Sequence, residues 1–287
     1  MGKFYEQQTK VFKLKDVLGI LLSIIWTFTI SYFYGLIVAI SPLVYINIFI
    51  TIGFGMFIGV GLKMLFKIFL ITNKKEAIIT AMACGFLGSY FSWVGYILYY
   101  TPDVVSMDAY FVDFLLVFRP NIVFQIIADI NVTGMWKIFG VPFNGWILTI
   151  IWIAETAIIV VVSTLFIHKQ SIAPFSAQMN KWYRKYVLNK DFESIALQQI
   201  FKAQLMANCI PTIEGLGKGI ATHFARVSVY YLADEFEQYI SVENVSKDRT
   251  GKSEEITNVV HLLVISKSDA EILIKNFHGK KAFFFDY

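Results

Sequence analysis

Between Val17 and Ile40 the sequence carries no charged residue, and no other feature constrains the fold of this chain more. A helix needs about 20 apolar residues to cross a bilayer. In hydrocarbon every backbone polar group must be bonded within its own segment or its closed sheet. Three more stretches meet the same requirement: Leu43 to Leu62, the uncharged Ala77 to Tyr100, and Gly145 to Ile167, whose single charge is Glu155. Val17–Ile40 is too long for a signal-peptide core and lacks a small-residue cleavage site, so it reads as a retained span.

The composition agrees. Only 16% of the residues are charged and 56% are hydrophobic, against about 25% and 45–50% in soluble domains. An ordinary soluble enzyme, a disordered tail, a collagen and a disulfide scaffold are all excluded. The net charge of +4 is too small to point to nucleic acid. Cys84 lies inside an apolar run, so Cys84 and Cys209 are expected to stay unpaired, and neither belongs to a metal-ligand pattern.

The expected fold is an α-helical membrane bundle of four transmembrane helices with interfacial amphipathic helices, followed by a small cytoplasmic α+β domain with an antiparallel sheet. Residues 1–16 form a basic cytoplasmic N-terminus, residues 17–167 the membrane domain and residues 168–287 the cytoplasmic domain. Lys3, Lys10, Lys13 and Lys15 precede the first span, Lys63, Lys67, Lys74 and Lys75 lie in the second connection, and Lys169, Lys181, Arg184 and Lys185 follow the fourth span. The first connection has no basic residue, and the third has only Arg119 and Lys137. The positive-inside rule therefore puts both termini in the cytoplasm of a cell-membrane protein.

Local signals refine the spans. Pro42 suits the first turn of the second helix, and Asn73 with Glu76 has the spacing of a capping box. Gly55 and Gly59 form a GxxxG, and Gly85 and Gly88 offer small-residue spacing in the third span. Close backbone approach is what holds helices together in lipid. Two uses stay open: a seam between copies in a homo-oligomer, or packing of the second helix on the third. In the outer segment 101–144, Thr101-Pro102-Asp103 resembles a helix start, and Asn121, Gln125 and Asp129 share one face of an amphipathic helix lying in the interface. This segment reads as a plug or lid over the bundle. Asn131-Val132-Thr133 is a glycosylation sequon.

Residues 168–287 hold 15 of the 25 basic and 13 of the 21 acidic residues, a soluble balance. Helices are expected over Pro174–Val187 and Phe192–Asn208. On the first, Lys181, Trp182, Arg184 and Lys185 are candidates for contact with anionic headgroups. Ala225, Val227, Val229 and Tyr231 alternate with polar neighbours, and Ile240 and Val242 continue the pattern. With a hairpin loop at 247–252 and the apolar run Val259–Ile265, they predict a three-stranded meander. Ser268 and Glu271 suggest a capping box and Gly279 a helix end. Phe283–Phe285 adds a last strand.

Catalytic signals are missing. Thr250–Ser253 lacks the first glycine of a phosphate loop, since position 246 is serine, and Gly215–Gly219 reads as a flexible linker. The four histidines are scattered, and no catalytic residue, metal site or cofactor is expected. Glu155 stands apart. A charge near mid-bilayer costs from about 2.5 to more than 10 kcal/mol, so it must face a cavity or a partner. It reads either as a proton- or cation-binding carboxylate or as a structural carboxyl bonded to hydroxyls of a neighbouring helix, with Thr27, Ser31, Ser89, Ser92 and Tyr96 as donors. The expected function is a non-enzymatic, membrane-anchored interaction or regulatory protein whose partners are the bilayer, a cytoplasmic protein and, in an oligomer, further copies of itself. The alternative is an oligomeric channel or transporter built on Glu155.

Overall fold

A computed structural model describes residues 3–6, 14–41, 44–100, 115–134, 136–138, 141–168, 173–248 and 254–282. The chain divides into two compact units, one of residues 11–170 and one of residues 1–10 with 171–287. Pro42, the Thr101-Pro102-Asp103 start, residues 249–252 of the expected hairpin loop, the discarded phosphate-loop segment at 250–253 and Phe283–Phe285 lie outside the described residues.

In the first unit, α1 (Leu14–Ile40), α2 (Val44–Ile68), α3 (Lys74–Tyr100) and α5 (Gly145–His168) are long, and each contains a stretch apolar enough to cross a membrane. Between α3 and α5 come a 3-10 turn (Leu115–Phe118), α4 (Pro120–Thr133) and a short hairpin, β1 (Trp136–Ile138) with β2 (Val141–Phe143). The long helices close a ring: α1 packs on α2 and α3, and α5 packs on α2 and α3.

Small residues set how closely they approach. A Cβ at Gly55 or Gly59 would press on Val162 or Phe166 of α5, one at Gly85 on Val160, and one at Gly88 on Ile58 of α2. The GxxxG of α2 thus serves α5 and not α3. A stripe of small residues on α1 ends at Gly35, where the α3 backbone comes close. Gly19, Ser23, Thr27, Ser31 and Gly35 recur every four residues and all are buried. Ser23, Thr27 and Ser31 each donate to the carbonyl four residues back. Their hydroxyls therefore need no partner on another helix.

Asn73 caps α3, its Oδ1 accepting from Lys75 N while its amide donates to Glu76. On α4 the polar residues Asn121, Gln125 and Asp129 are exposed, whereas Val123 is buried against Val94 and Ile97 of α3. The Asn131 amide donates to Gly145 O and Thr149 Oγ1 at 3.0 Å each. The nitrogen a glycan would occupy is thus engaged in tying α4 to α5.

The second unit is a five-stranded antiparallel sheet, ordered β8-β7-β6-β5-β9, with β5 (Arg184–Val187), β6 (His223–Tyr231), β7 (Glu237–Lys247), β8 (Glu254–Ser266) and β9 (Lys280–Lys281). A two-stranded ribbon, β3 (Phe175–Ser176) with β4 (Lys181–Trp182), precedes it. Helices α6 (Gln198–Ala207), α7 (Cys209–Glu214) and α8 (Lys267–Asn276) contribute Phe201, Leu205, Ile213 and Leu273 to the core formed by Ala225, Val227, Val229, Ile240 and Val242. The opposite face is covered too: Tyr183, Tyr230, Tyr239 and Leu262 form a second cluster that Tyr5 joins. Both faces are therefore buried, more than the half-buried alternation predicts.

The N-terminal residues belong to this unit. Phe4 bridges Leu263 on the β8 edge, with Tyr5 N donating to Leu262 O and Val264 N to Lys3 O. Leu262 takes a φ of 50°, and the β7–β8 register shifts beside it. The Ser241 hydroxyl accepts from Leu262 N and pins this bulge.

Several local expectations are overturned. Residues 174–187 form strands, because Asn180 adopts a φ of 52° and turns the chain back so that Trp182 packs on Phe175. The second helix spans only Gln198–Ala207, because residues 188–192 are engaged against β6, with Leu188 N donating to Val227 O and Phe192 N to Ala225 O. Gly215–Gly219 is no flexible linker, since Lys218 bridges Phe192 and a Cβ at Gly219 would lie 2.4 Å from Phe192 O. Helix α8 is capped by Ser266, which accepts from Asp269 N, while Glu271 accepts from Tyr231. The left-handed residue after α8 is His278, not Gly279.

Candidate functional site

The four-residue repeat of a helix brings polar and aromatic side chains of the helical unit together. On α5, Trp152, Glu155, Thr156 and Ile159 follow an i, i+3, i+4, i+7 pattern and share one face. On α3, Ser89, Ser92, Trp93 and Tyr96 follow the same pattern. Helix α1 adds Tyr34, Gly35 and Val38. These eleven residues line a cavity of about 40 Å³ within the bundle. At about 10–15 Å³ per water-sized site, that is room for a few waters.

The hydroxyl pattern fixes what the cavity offers. Thr51 Oγ1 donates to Asn47 O at 2.7 Å, so in the 2.8 Å contact with Tyr34 the tyrosine must be the donor. Tyr34 stacks on Phe54 with centroids 4.2 Å apart, which holds its ring at the cavity wall. Ser92 donates to Ser89 O, and the Ser89 and Thr156 hydroxyls meet at 2.8 Å across the α3–α5 contact. Trp93 and Trp152 pack edge to face at 4.8 Å. Among the described residues, the lining presents one carboxyl group, oxygen lone pairs and aromatic rings, and includes no lysine, arginine or histidine.

Of the donors expected for Glu155, Ser89, Ser92 and Tyr96 line its cavity, whereas Thr27 and Ser31 are bonded along α1. The protons of Ser92 and of one hydroxyl in the Ser89–Thr156 pair are directed at other oxygens, not at Glu155. Tyr34, Trp93, Trp152 and Thr156 are site residues that sequence reasoning missed. For Trp152, Thr156 and Trp93 the signal was the i, i+3, i+4, i+7 spacing around Glu155 and around Ser89; Tyr34, on α1, had no such signal.

The headgroup candidates do not share a helical face. Lys181 and Trp182 lie in β4, and Arg184 and Lys185 in β5. Lys181 reaches Asp234 at 3.4 Å. Cys84 and Cys209 are free thiols in different units. Burial, with Asp269 nearby, pushes the Cys209 thiol up to about 12.

No protein-family model matches the sequence, and no curated protein or solved structure resembles it significantly.

Proposed function

We propose that this is a multi-pass protein of the cell membrane whose helical unit binds a proton or small cation at Glu155 and whose second unit is a cytoplasmic regulatory or interaction domain. The observation that carries this reading is the lining of the Glu155 cavity. A carboxylate in hydrocarbon without a basic partner lacks its counter-charge, and the strong electrostatics of a low-dielectric site favour a cation there. The indole rings add cation–π attraction. The volume admits an ammonium or a hydrated proton and excludes a bulky quaternary amine.

Methylammonium tests this with full-length protein in nanodiscs. A ligand that binds only the folded state stabilises it by about 2.7 kcal/mol at one hundred times its dissociation constant. Methylammonium chloride is expected to raise the melting temperature relative to tetramethylammonium chloride, and Glu155→Gln to abolish that rise. An equal rise in wild type and Glu155→Gln contradicts the site.

The orientation rests on the basic residues flanking the spans. In a background lacking Cys84 and Cys209, an impermeant thiol reagent added to intact cells is expected to label Gln125→Cys and to leave Glu255→Cys unlabelled. The reverse pattern overturns it.

A further inference from the structure

A second cavity shares a wall with the first. Helices α3, α4 and α5 enclose a cleft of about 690 Å³, within the range of about 300–1,000 Å³ typical of small-molecule pockets. Its walls are almost wholly apolar, with Phe86, Tyr90, Phe124, Ile153, Ala157 and Val161 among them. Phe86, Phe124, Ile153 and Val161 are also exposed on the surface of the unit, so the cleft opens to the hydrocarbon that surrounds a spanning bundle. Ser89, Trp93, Trp152 and Thr156 line both the cleft and the Glu155 cavity. The partition between them is a hydroxyl pair and an indole pair.

We infer that the ligand of this paired site is a long-chain primary amine, with its alkyl chain in the cleft and its ammonium group against Glu155. The inference rests on the reading of Glu155 as a cation site and adds the class of molecule. Three features select it. The cleft offers apolar surface and no counter-charge, so it takes hydrocarbon. The small cavity accepts an –NH₃⁺ group with a water or two, but not a trimethylammonium group. Its lining has no basic residue, so a zwitterionic phospholipid headgroup would leave its phosphate unpaired in a low-dielectric site, which is costly. For the chain to lie in the cleft while the ammonium meets Glu155, the Ser89–Thr156 hydroxyl contact has to part; the freed oxygens then supply acceptors, and the Trp93 and Trp152 rings π-faces, for the ammonium.

The test is equilibrium dialysis of radiolabelled dodecylamine against nanodiscs holding the full-length protein, with empty nanodiscs subtracted. The expected result is saturable binding that weakens at least tenfold in Glu155→Gln and at least tenfold in Ala157→Trp, which fills the cleft without touching the carboxyl. Dodecanol and dodecyltrimethylammonium are expected to compete at least tenfold less well. Ala157→Trp is expected to keep the thermal response to methylammonium, showing that the variant folds and that Glu155 still binds a small cation. If wild type responds to methylammonium but shows no saturable dodecylamine binding, or if dodecanol competes equally, the amine inference is overturned and the Glu155 reading stands. Loss of both responses in wild type overturns both.

Discussion

Gly35→Leu is expected to prevent the four-helix unit from closing. A Cβ at this position would lie 2.2 Å from Ser92 O and 2.7 Å from Tyr96 N. Both are backbone atoms of α3, so no side chain can swing aside. Gly95 answers from the other helix, where a Cβ would meet Tyr32 O at 2.6 Å. Overpacking usually costs about 1–3 kcal/mol, and here the only relief is separation of α1 from α3, so the loss should exceed 3 kcal/mol. At about 2–4 °C per kcal/mol for a unit of this size, the melting temperature in detergent should fall by roughly 6–12 °C or more. Gly35 also lines the Glu155 cavity, so ligand response should be lost with it. Gly53→Ala is the control, because nothing lies within 4 Å of its Cβ position. Equal melting of the two variants would contradict the close α1–α3 crossing.

The second large effect belongs to Gln238 in the sheet unit. Its side chain is fully buried. Oε1 accepts from Leu232 N at 2.7 Å, and Nε2 donates to Leu232 O at 3.0 Å and to Glu235 O at 2.6 Å. One amide thereby satisfies three backbone groups of the connection between β6 and β7. Gln238→Leu keeps similar bulk but takes this partner from Leu232 N and Glu235 O, at about 1–3 kcal/mol each, while Leu232 O keeps its bond from Glu235 N. A combined loss of roughly 2–6 kcal/mol is a large part of a typical stability of about 5–15 kcal/mol. Hydrogen exchange on the full-length protein should show the amides of residues 229–241 exchanging far faster in the variant. Unchanged protection there would mean that the connection holds without the glutamine.

The four long helices were legible because runs of about twenty apolar residues mark helices long and apolar enough to cross a membrane. The meander was legible for a related reason: Ala225, Val227 and Val229 alternate because one face of β6 meets the helical core. Residues 174–187 were misread because their composition suits a helix, and the decisive event is a single left-handed residue, Asn180, that periodicity does not register. Asparagine tolerates that conformation better than most residues, which was the available clue.

At the site, Glu155 announced itself by cost alone. Of its neighbours, Ser89, Ser92 and Tyr96 were expected; the others were not, although the rule that finds small-residue seams also fits the Gly19–Gly35 stripe of α1, and the helical repeat around Glu155 contains Trp152, Thr156 and Ile159. What sequence spacing cannot supply is which helices are adjacent. The GxxxG of α2 faces α5 because the ring runs α1, α3, α5, α2, an order that short loops between consecutive helices do not suggest. The attachment of Lys3–Tyr5 to the β8 edge is invisible for the same reason, since it joins segments more than 250 residues apart.

The account stands or falls on Glu155 as the cation ligand. Dicyclohexylcarbodiimide is an apolar reagent that modifies protonated carboxyl groups within membranes, and its adduct can be located by peptide mass spectrometry. In nanodiscs the account predicts modification at Glu155 that methylammonium suppresses in a saturable manner, with equal tetramethylammonium giving little protection. Modification of Glu155 that is indifferent to methylammonium would show that the carboxyl takes up a proton but no small organic cation, and would contradict the central claim.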